Sequence, residues 1–306
     1  MSRDKIIAIV GPTSSGKTDL GIYLARKLGG EIISADSRQV FRGMDIGTGK
    51  DLEDYISEGK SVKYHLIDVV SPKTMFSLSK YLRLAKKAIS QVVEKGRLPI
   101  VVGGTGLYVQ ALADGFSLSS VKPDFKKREE TERMPPADIM AQIASINPAF
   151  AAKINASDSQ NCRRLARYLE ILEQGGEEVK KFQSSPYDIL VLGIDRTDDV
   201  LKERIIKRLN DRLGAGLLAE VERLHQEGVS WKRLISFGLE YKFVTWHLLG
   251  KLSHDAMKEK LATAIYRFAK QQKTWLRRWE KQGRKIHWVG DKKEAEYLSR
   301  LFMSDK

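Results

Sequence analysis

A chain of 306 residues with 42% apolar and 30% charged side chains has the make-up of a soluble globular protein with one large domain or a domain carrying an insert, which excludes extended disorder and a collagen-like repeat. One cysteine, Cys162, rules out an internal disulfide or a CxxC metal site, and the five scattered histidines form no HExxH-like pattern, so no protein-held transition metal is expected. Fifty-three Lys and Arg (53) against 39 Asp and Glu give a net charge of +14, which favours a polyanionic partner such as nucleic acid.

The first apolar run, Ile6–Val10, is too short to cross a bilayer, and Asp4 stands where a signal peptide carries only positive charge. A cytoplasmic protein without a membrane segment is therefore expected, with a monomer as the default. This mostly β-branched run leads straight into Gly11-Pro12-Thr13-Ser14-Ser15-Gly16-Lys17-Thr18, reading as a buried strand, a loop and a helix start. The helix carries Leu20, Leu24 and Leu28 one turn apart and stops at Gly29-Gly30. Apolar runs at 32–33, 66–70 and 98–102 predict three more strands, the last closing on Gly103-Gly104-Thr105-Gly106, with helices over 79–95 and 107–112. Such alternation predicts an α/β fold with a parallel sheet and its site at the carboxyl ends of the strands, and the glycine-rich loop between the first strand and helix makes it a P-loop NTPase-like core. Residues 1–116 form its first part. A charge-dense stretch from Lys122 to Arg133 and the Pro135-Pro136 break mark a small helical insert over 117–184, although the helix at 161–172 can equally belong to the core. Residues 185–306 return to the core, with strands expected at 189–194 and 286–289 and a helical C-terminal part between them.

Gly11 to Thr18 matches GxxxxGK[ST] at every required position, in the strand-to-helix setting the motif needs. Gly11, Thr13, Ser14, Ser15 and Gly16 can turn their N–H groups toward phosphate oxygens, Lys17 can reach the terminal phosphate, and the Thr18 hydroxyl can hold Mg²⁺. The loop recognises phosphates without dictating which bond breaks. A kinase or ATPase often places an acid after a later strand, but the run at 98–102 ends in glycines and Asp68 is embedded within its own run.

Ser34-Ala35-Asp36-Ser37-Arg38-Gln39 lies at the carboxyl end of the second predicted strand and opens onto the same crevice. Asp36 is a candidate general base, although a turn- or helix-cap aspartate is the commoner occupant of such a position. Thr105 is either the N-cap of the next helix or part of a glycine-rich wall that a flat ligand can approach closely. Farther on, Arg267, Lys270, Lys273, Arg277, Arg278, Lys281, Arg284 and Lys285 interleave with Trp275 and Trp279. This is a good RNA surface if the tryptophans are not simply core.

Several stretches resemble the tRNA dimethylallyltransferase (tRNA isopentenyltransferase) family almost residue for residue. They are 34–50, Tyr64-His65-Leu66-Ile67-Asp68, Gly103 to Tyr108, Arg163 to Glu170, and Ala269 to Arg277, in order along most of the chain. The resemblance implies transfer of the dimethylallyl group of dimethylallyl diphosphate to N6 of the adenine next to a tRNA anticodon, at tRNA position 37, with release of diphosphate. It makes Asp36 the base, Lys17 and Mg²⁺ at Thr18 stabilisers of the leaving diphosphate, and Thr105 the residue that orients the adenine. Arg204 and Arg208, four apart on one helix, are similar to a family pair placed near the diphosphate. On the RNA side the resemblance sets Asp36, Ser37, Arg38 and Gln39, the cluster Arg163, Arg164 and Arg167, and the basic face bearing Lys270 and Arg277, against the anticodon stem-loop. The cluster's other reading is a solvated basic face. Ser236 to Lys242 departs from the family's usual isoleucine-glycine-tyrosine turn. The alternatives are an adenylate isopentenyltransferase acting on free AMP or ATP, a P-loop kinase or ATPase, and a non-catalytic RNA-binding protein.

Overall fold

The computed structural model describes residues 3–57, 60–119, 121–176, 180–182 and 185–305. The chain divides into two compact units, Met1–Ala113 with Ser185–Lys306, and Asp114–Ser184. The break into the second unit thus falls three residues before the expected 117, and its expected end at 184 lies outside the described residues.

In the larger unit, β1 (Asp4–Val10) leads through the glycine-rich loop into α1 (Lys17–Leu28), β2 (Gly30–Ser34), β3 (Tyr64–His65), α2 (Leu78–Val93), β4 (Leu98–Val102) and α3 (Gly106–Ala113). The six-stranded sheet, entirely parallel, has the order β6-β5-β1-β4-β2-β3, where β5 is Tyr187–Gly193 and β6 is His287–Trp288. Strands covered on both faces are mostly apolar, and β2 and β4 are buried along their whole length; the buried Glu31 of β2 is paired with His65 at 2.7 Å. Ile7, Ile9, Ile32, Ile100 and Val102 pack with Leu20, Leu24 and Ala25 of α1. Their neighbours Ile6, Ala8, Ile33 and Val101 point to the opposite side, as the two-residue period of a strand requires.

The strand expected at 66–70 sits elsewhere. Pairing with β2 is made by Tyr64 and His65, and the run that follows is bent. Leu66 and Asp68 adopt φ of 64° and 56°, left-handed values that no strand accommodates, and only Val70 forms a bridge, to Phe41. Leu66, Ile67 and Val70 of this run are buried in a bent segment, not in a strand.

After β5 come α8 (Asp198–Gly214), α9 (Leu217–Gln226), α10 (Trp231–Ser236), α11 (Leu239–Leu248), the 28-residue α12 (His254–Lys281) and, past β6, α13 (Lys292–Ser304). Val40, Phe41 and Met44, from the chain that leaves β2, join residues of these helices in a second apolar core. That core holds the loop beyond β2 against the helical part, and this positions the site.

The smaller unit is helical. It contains α4 (Phe125–Thr131), α5 (Pro136–Ile146), α6 (Pro148–Ala151) and α7 (Cys162–Glu173); α5 and α7 enclose Ile139, Ile143, Leu165 and Leu169, and Phe116–Leu118 pairs antiparallel with Lys180–Phe182. The helix whose membership was open at 161–172 belongs to this unit.

Candidate active site

The phosphate loop is shaped by residues that side chains would spoil. Gly11 has φ of 152°, and a Cβ there would stand 2.5 Å from the Ile194 carbonyl oxygen. Gly16, at φ 100°, precedes α1 with no side-chain cap, so the first-turn N–H groups of α1 face the loop. The Ser15 hydroxyl is fully buried and has no hydrogen-bond partner among the described residues. Lys17 Nζ donates to the Pro12 carbonyl at 2.6 Å. Burial lowers the Lys17 pKa to about 7, with Asp36 opposing the shift and Arg208 adding to it.

Thr13, Ser14, Lys17 and Thr18 line one side of a crevice of about 490 Å³, and Asp36 to Gln39 with Gly103 to Thr105 line another. The two strand ends are tied together: Thr105 N–H donates to the Ala35 carbonyl at 3.2 Å, and Ser37 N–H donates to Thr105 Oγ1 at 3.0 Å. Thr105 therefore starts α3 through its carbonyl, which accepts from Tyr108 and Val109, while its hydroxyl holds the Asp36 turn. A side chain at Gly103 would overlap the Ala35 backbone. Asp36 Oδ1 accepts from the N–H groups of Arg38 and Gln39, at 2.7 and 3.3 Å. The turn-cap reading of Asp36 thus describes one oxygen, and Oδ2 has no hydrogen bond among the described residues. Gln39 Nε2 reaches the Gly49 carbonyl at 3.1 Å, and Arg38 lies 5.6 Å from the Phe237 ring centroid.

Beyond Gln39 the family-like stretch serves mainly to fold the loop. Lys50 is 1% exposed and donates to the Phe41 carbonyl at 2.8 Å, to Asp45 Oδ1 at 2.6 Å and to Asp68. The buried Glu220 of α9 accepts N–H bonds from Asp45, Ile46 and Gly47 and the hydroxyl of Tyr241. Gly47 lies so close that a Cβ would meet the Tyr241 ring at 2.6 Å.

The two arginines of α8 are separated in role. Arg204 donates to the Ser14 carbonyl at 3.3 Å, at the phosphate loop. Arg208 lines the crevice and pairs with Asp51 at 2.5 Å. Arg212, four residues farther on, also lines the crevice and pairs with Glu240 at 2.6 Å. Sequence reasoning stopped at Arg208, although the same four-residue spacing pointed onward. It also passed over Gln272, whose side chain bonds Thr13 N–H and the Gly104 carbonyl, and the apolar wall of Phe237, Leu239, Phe243, Ile265 and Phe268. Gln272 lies within the stretch quoted for the resemblance, and that was its one signal.

Arg163, Arg164 and Arg167 lie in the smaller unit and each meets an acid there: Glu132 at 3.4 Å, Asp158, and Glu170 at 2.5 Å. Lys270 and Arg277 are exposed on α12. Of the interleaved tryptophans, Trp279 is 1% exposed and belongs to the interior, and Trp275 packs on Gly106. No group of three or more His, Cys, Asp or Glu suited to a metal occurs among the described residues, and no described helix is long and apolar enough to cross a membrane.

The comparisons with known proteins agree with one another. A family model described as IPP transferase matches residues 39–279. The protein named tRNA dimethylallyltransferase 1 of Syntrophus aciditrophicus is 42% identical over 295 residues, 95% of each chain. The crystal structure of the full-length tRNA isopentenylpyrophosphate transferase of Bacillus halodurans superposes with a TM-score of 0.69 at 33% identity, covering 99% of this chain and 96% of that one. A eukaryotic dimethylallyltransferase acting on tRNA gives a TM-score of 0.71 at 26% identity over 89% of this chain and 70% of its own. With a crevice joining phosphate loop, Asp36 and Thr105, and with relatives matched over nearly its whole length, the chain belongs to the IPP transferase family.

Proposed function

We propose that the protein moves the dimethylallyl group of dimethylallyl diphosphate to N6 of the adenine next to a tRNA anticodon, and that it does so in the crevice described above. The observation that carries this reading is the shared crevice: a phosphate cradle and a carboxylate with one unoccupied oxygen face the same space. The N6 lone pair attacks the allylic carbon, the carbon–oxygen bond breaks with its electron pair passing to diphosphate, and the N6 proton passes to Asp36 Oδ2. Lys17, the first-turn N–H groups of α1, Ser15 and Arg204 hold the departing charge. Arg208 joins them if it exchanges Asp51 for the diphosphate. Thr105, through the Ser37 turn, sets the face against which the adenine lies.

The Thr18 hydroxyl fits Mg²⁺ that is otherwise held by diphosphate oxygens and water, the usual way this ion is bound; such an ion would supply charge stabilisation of the diphosphate. The target base must leave its stack, at a cost of a few kcal/mol that is smallest in a single-stranded loop. Ser37, Arg38, Gln39, Lys270 and Arg277, with Arg163, Arg164 and Arg167 of the smaller unit, are the proposed contacts to the anticodon stem-loop. We place the protein in the cytoplasm, with its tRNA, as a monomer.

The test is incubation with Mg²⁺, dimethylallyl diphosphate and, separately, unmodified tRNA, AMP or ATP, followed by mass spectrometry of nucleosides. Prenylated adenine in tRNA is the expected product. Product on the free nucleotides alone would transfer the reading to an adenylate isopentenyltransferase, and phosphate release from ATP without prenylation would transfer it to an ATPase.

A further inference from the structure

Gln272 occupies the buried stripe of α12 that also carries Ile265, Ala269 and Leu276. A polar side chain on such a stripe is destabilising unless its hydrogen bonds are met. Both ends are met, and by opposite sides of the crevice. Oε1 accepts from Thr13 N–H in the phosphate loop at 2.7 Å, and Nε2 donates to the Gly104 carbonyl at the end of β4 at 2.8 Å. The orientation of the carboxamide is unambiguous, because reversing it would set donor against donor and acceptor against acceptor.

The connection continues past Gly104. Thr105 follows it directly and accepts Ser37 N–H at 3.0 Å, and Ser37 follows Asp36. One side chain therefore links the phosphate cradle to the turn that carries the carboxylate. The sequence makes room for the link: a Cβ on Gly104 would stand 2.6 Å from Gln272 Nε2.

We propose that Gln272 is a positioning residue that holds the phosphate loop and the acceptor edge of the crevice in one register and transmits occupation of the loop to the Asp36–Ser37 turn. The proposal rests on the dimethylallyl-transfer reading. Its leverage is geometric, since misplacing reacting groups by about 1 Å can slow a reaction about 100-fold.

Gln272→Met keeps the length and the unbranched stem and removes both bonds. Gln272→Glu keeps an acceptor for Thr13 and turns an oxygen toward the Gly104 carbonyl, and it serves for the same readouts should the methionine variant fold poorly. For wild type and variants, three quantities are measured: inorganic diphosphate affinity with Mg²⁺ by calorimetry, single-turnover transfer from dimethylallyl diphosphate to an anticodon stem-loop RNA, and amide exchange across 34–41 with and without diphosphate. In the wild type diphosphate slows exchange at Ser37. In both variants that slowing is lost and transfer falls by about 10- to 100-fold, and in Gln272→Met diphosphate affinity stays within about threefold. A variant that keeps both the wild-type rate and the protection overturns the proposal, as does a rate that falls only in step with diphosphate affinity. Absence of any diphosphate-dependent protection in the wild type overturns it as well. A wild type that shows the protection, loses it in the variants and transfers nothing to RNA retracts the reaction and supports the bridge.

Discussion

In the proposed reaction Asp36 divides its carboxylate between architecture and chemistry, and the division makes the two separable by mutation. Oδ1 holds the turn through Arg38 and Gln39 N–H, a task that the carbonyl oxygen of an asparagine can perform. The proton-accepting capacity of Oδ2 is lost in Asp36→Asn. Single-turnover transfer is therefore expected to slow by about 10²- to 10⁴-fold with tRNA affinity nearly intact in a filter-binding assay; an unchanged rate would remove Asp36 as the base. Lys17 gives a second test at this scale. With its pKa lowered to about 7, the ammonium is charged below that pH and neutral above it in the free protein, whereas a bound diphosphate favours the charged form. Binding then takes up a proton above pH 7. The advantage of wild type over Lys17→Met in diphosphate affinity should be full below pH 7 and decline by up to about tenfold per pH unit above it. Taking the ratio cancels the titration of diphosphate itself, and a ratio flat from pH 6 to 9 would show that the Lys17 charge does not hold the anion.

At the scale of elements, the loop between β2 and β3 is fixed by two buried charges that no local pattern reveals. Glu220, 6% exposed, accepts three backbone N–H bonds and one phenol. Replacing it with glutamine turns an NH₂ toward donors it cannot serve. The expected cost of Glu220→Gln is about 1–3 kcal/mol, visible as a melting temperature lower by several degrees, with transfer reduced because Gly47 and Thr48 line the crevice. A melting temperature equal to that of the wild type would show that the carboxylate does not organise the loop. The phosphate loop, the parallel sheet and the placement of Asp36 and Thr105 at strand ends were legible in the sequence, because each depends on a contiguous apolar run that closes on glycine or, before Asp36, on Ser34-Ala35. The third strand was misplaced because apolar content does not report backbone handedness: Leu66 and Asp68 bend the chain, and the Asp68 side chain is bonded to Lys50. Arg212 and Glu240 are 28 residues apart and Gln272 meets Thr13 across 259, so their roles arise only when the helices pack.

For the molecule as a whole, the relevant quantity is the distribution of its +14 charge. Much of it is engaged internally. Arg163, Arg164 and Arg167 each meet an acid within the smaller unit, so their contact with RNA requires exchanging one partner for another and adds less than three free cations would. The face of α12 is different: Arg277 and Arg278 are exposed, and Lys270, also exposed, is held only loosely, by Asp198 at 3.8 Å and over the Tyr266 ring at 4.8 Å, while the opposite stripe is anchored by Leu261, Ile265 and Trp279. A rigid helix with cations on one side and core on the other can neutralise successive phosphates without reorganising. Affinity for tRNA should consequently fall steeply with salt, linearly in the logarithms. Lys270→Ala and Arg277→Ala, both outside the crevice, should each make that slope shallower by about one and leave the single-turnover rate at saturating tRNA unchanged. Arg163→Ala should change the slope less than Arg277→Ala, its cation being already partnered. Equal slopes for wild type and the two α12 variants would transfer tRNA binding to another face of the protein.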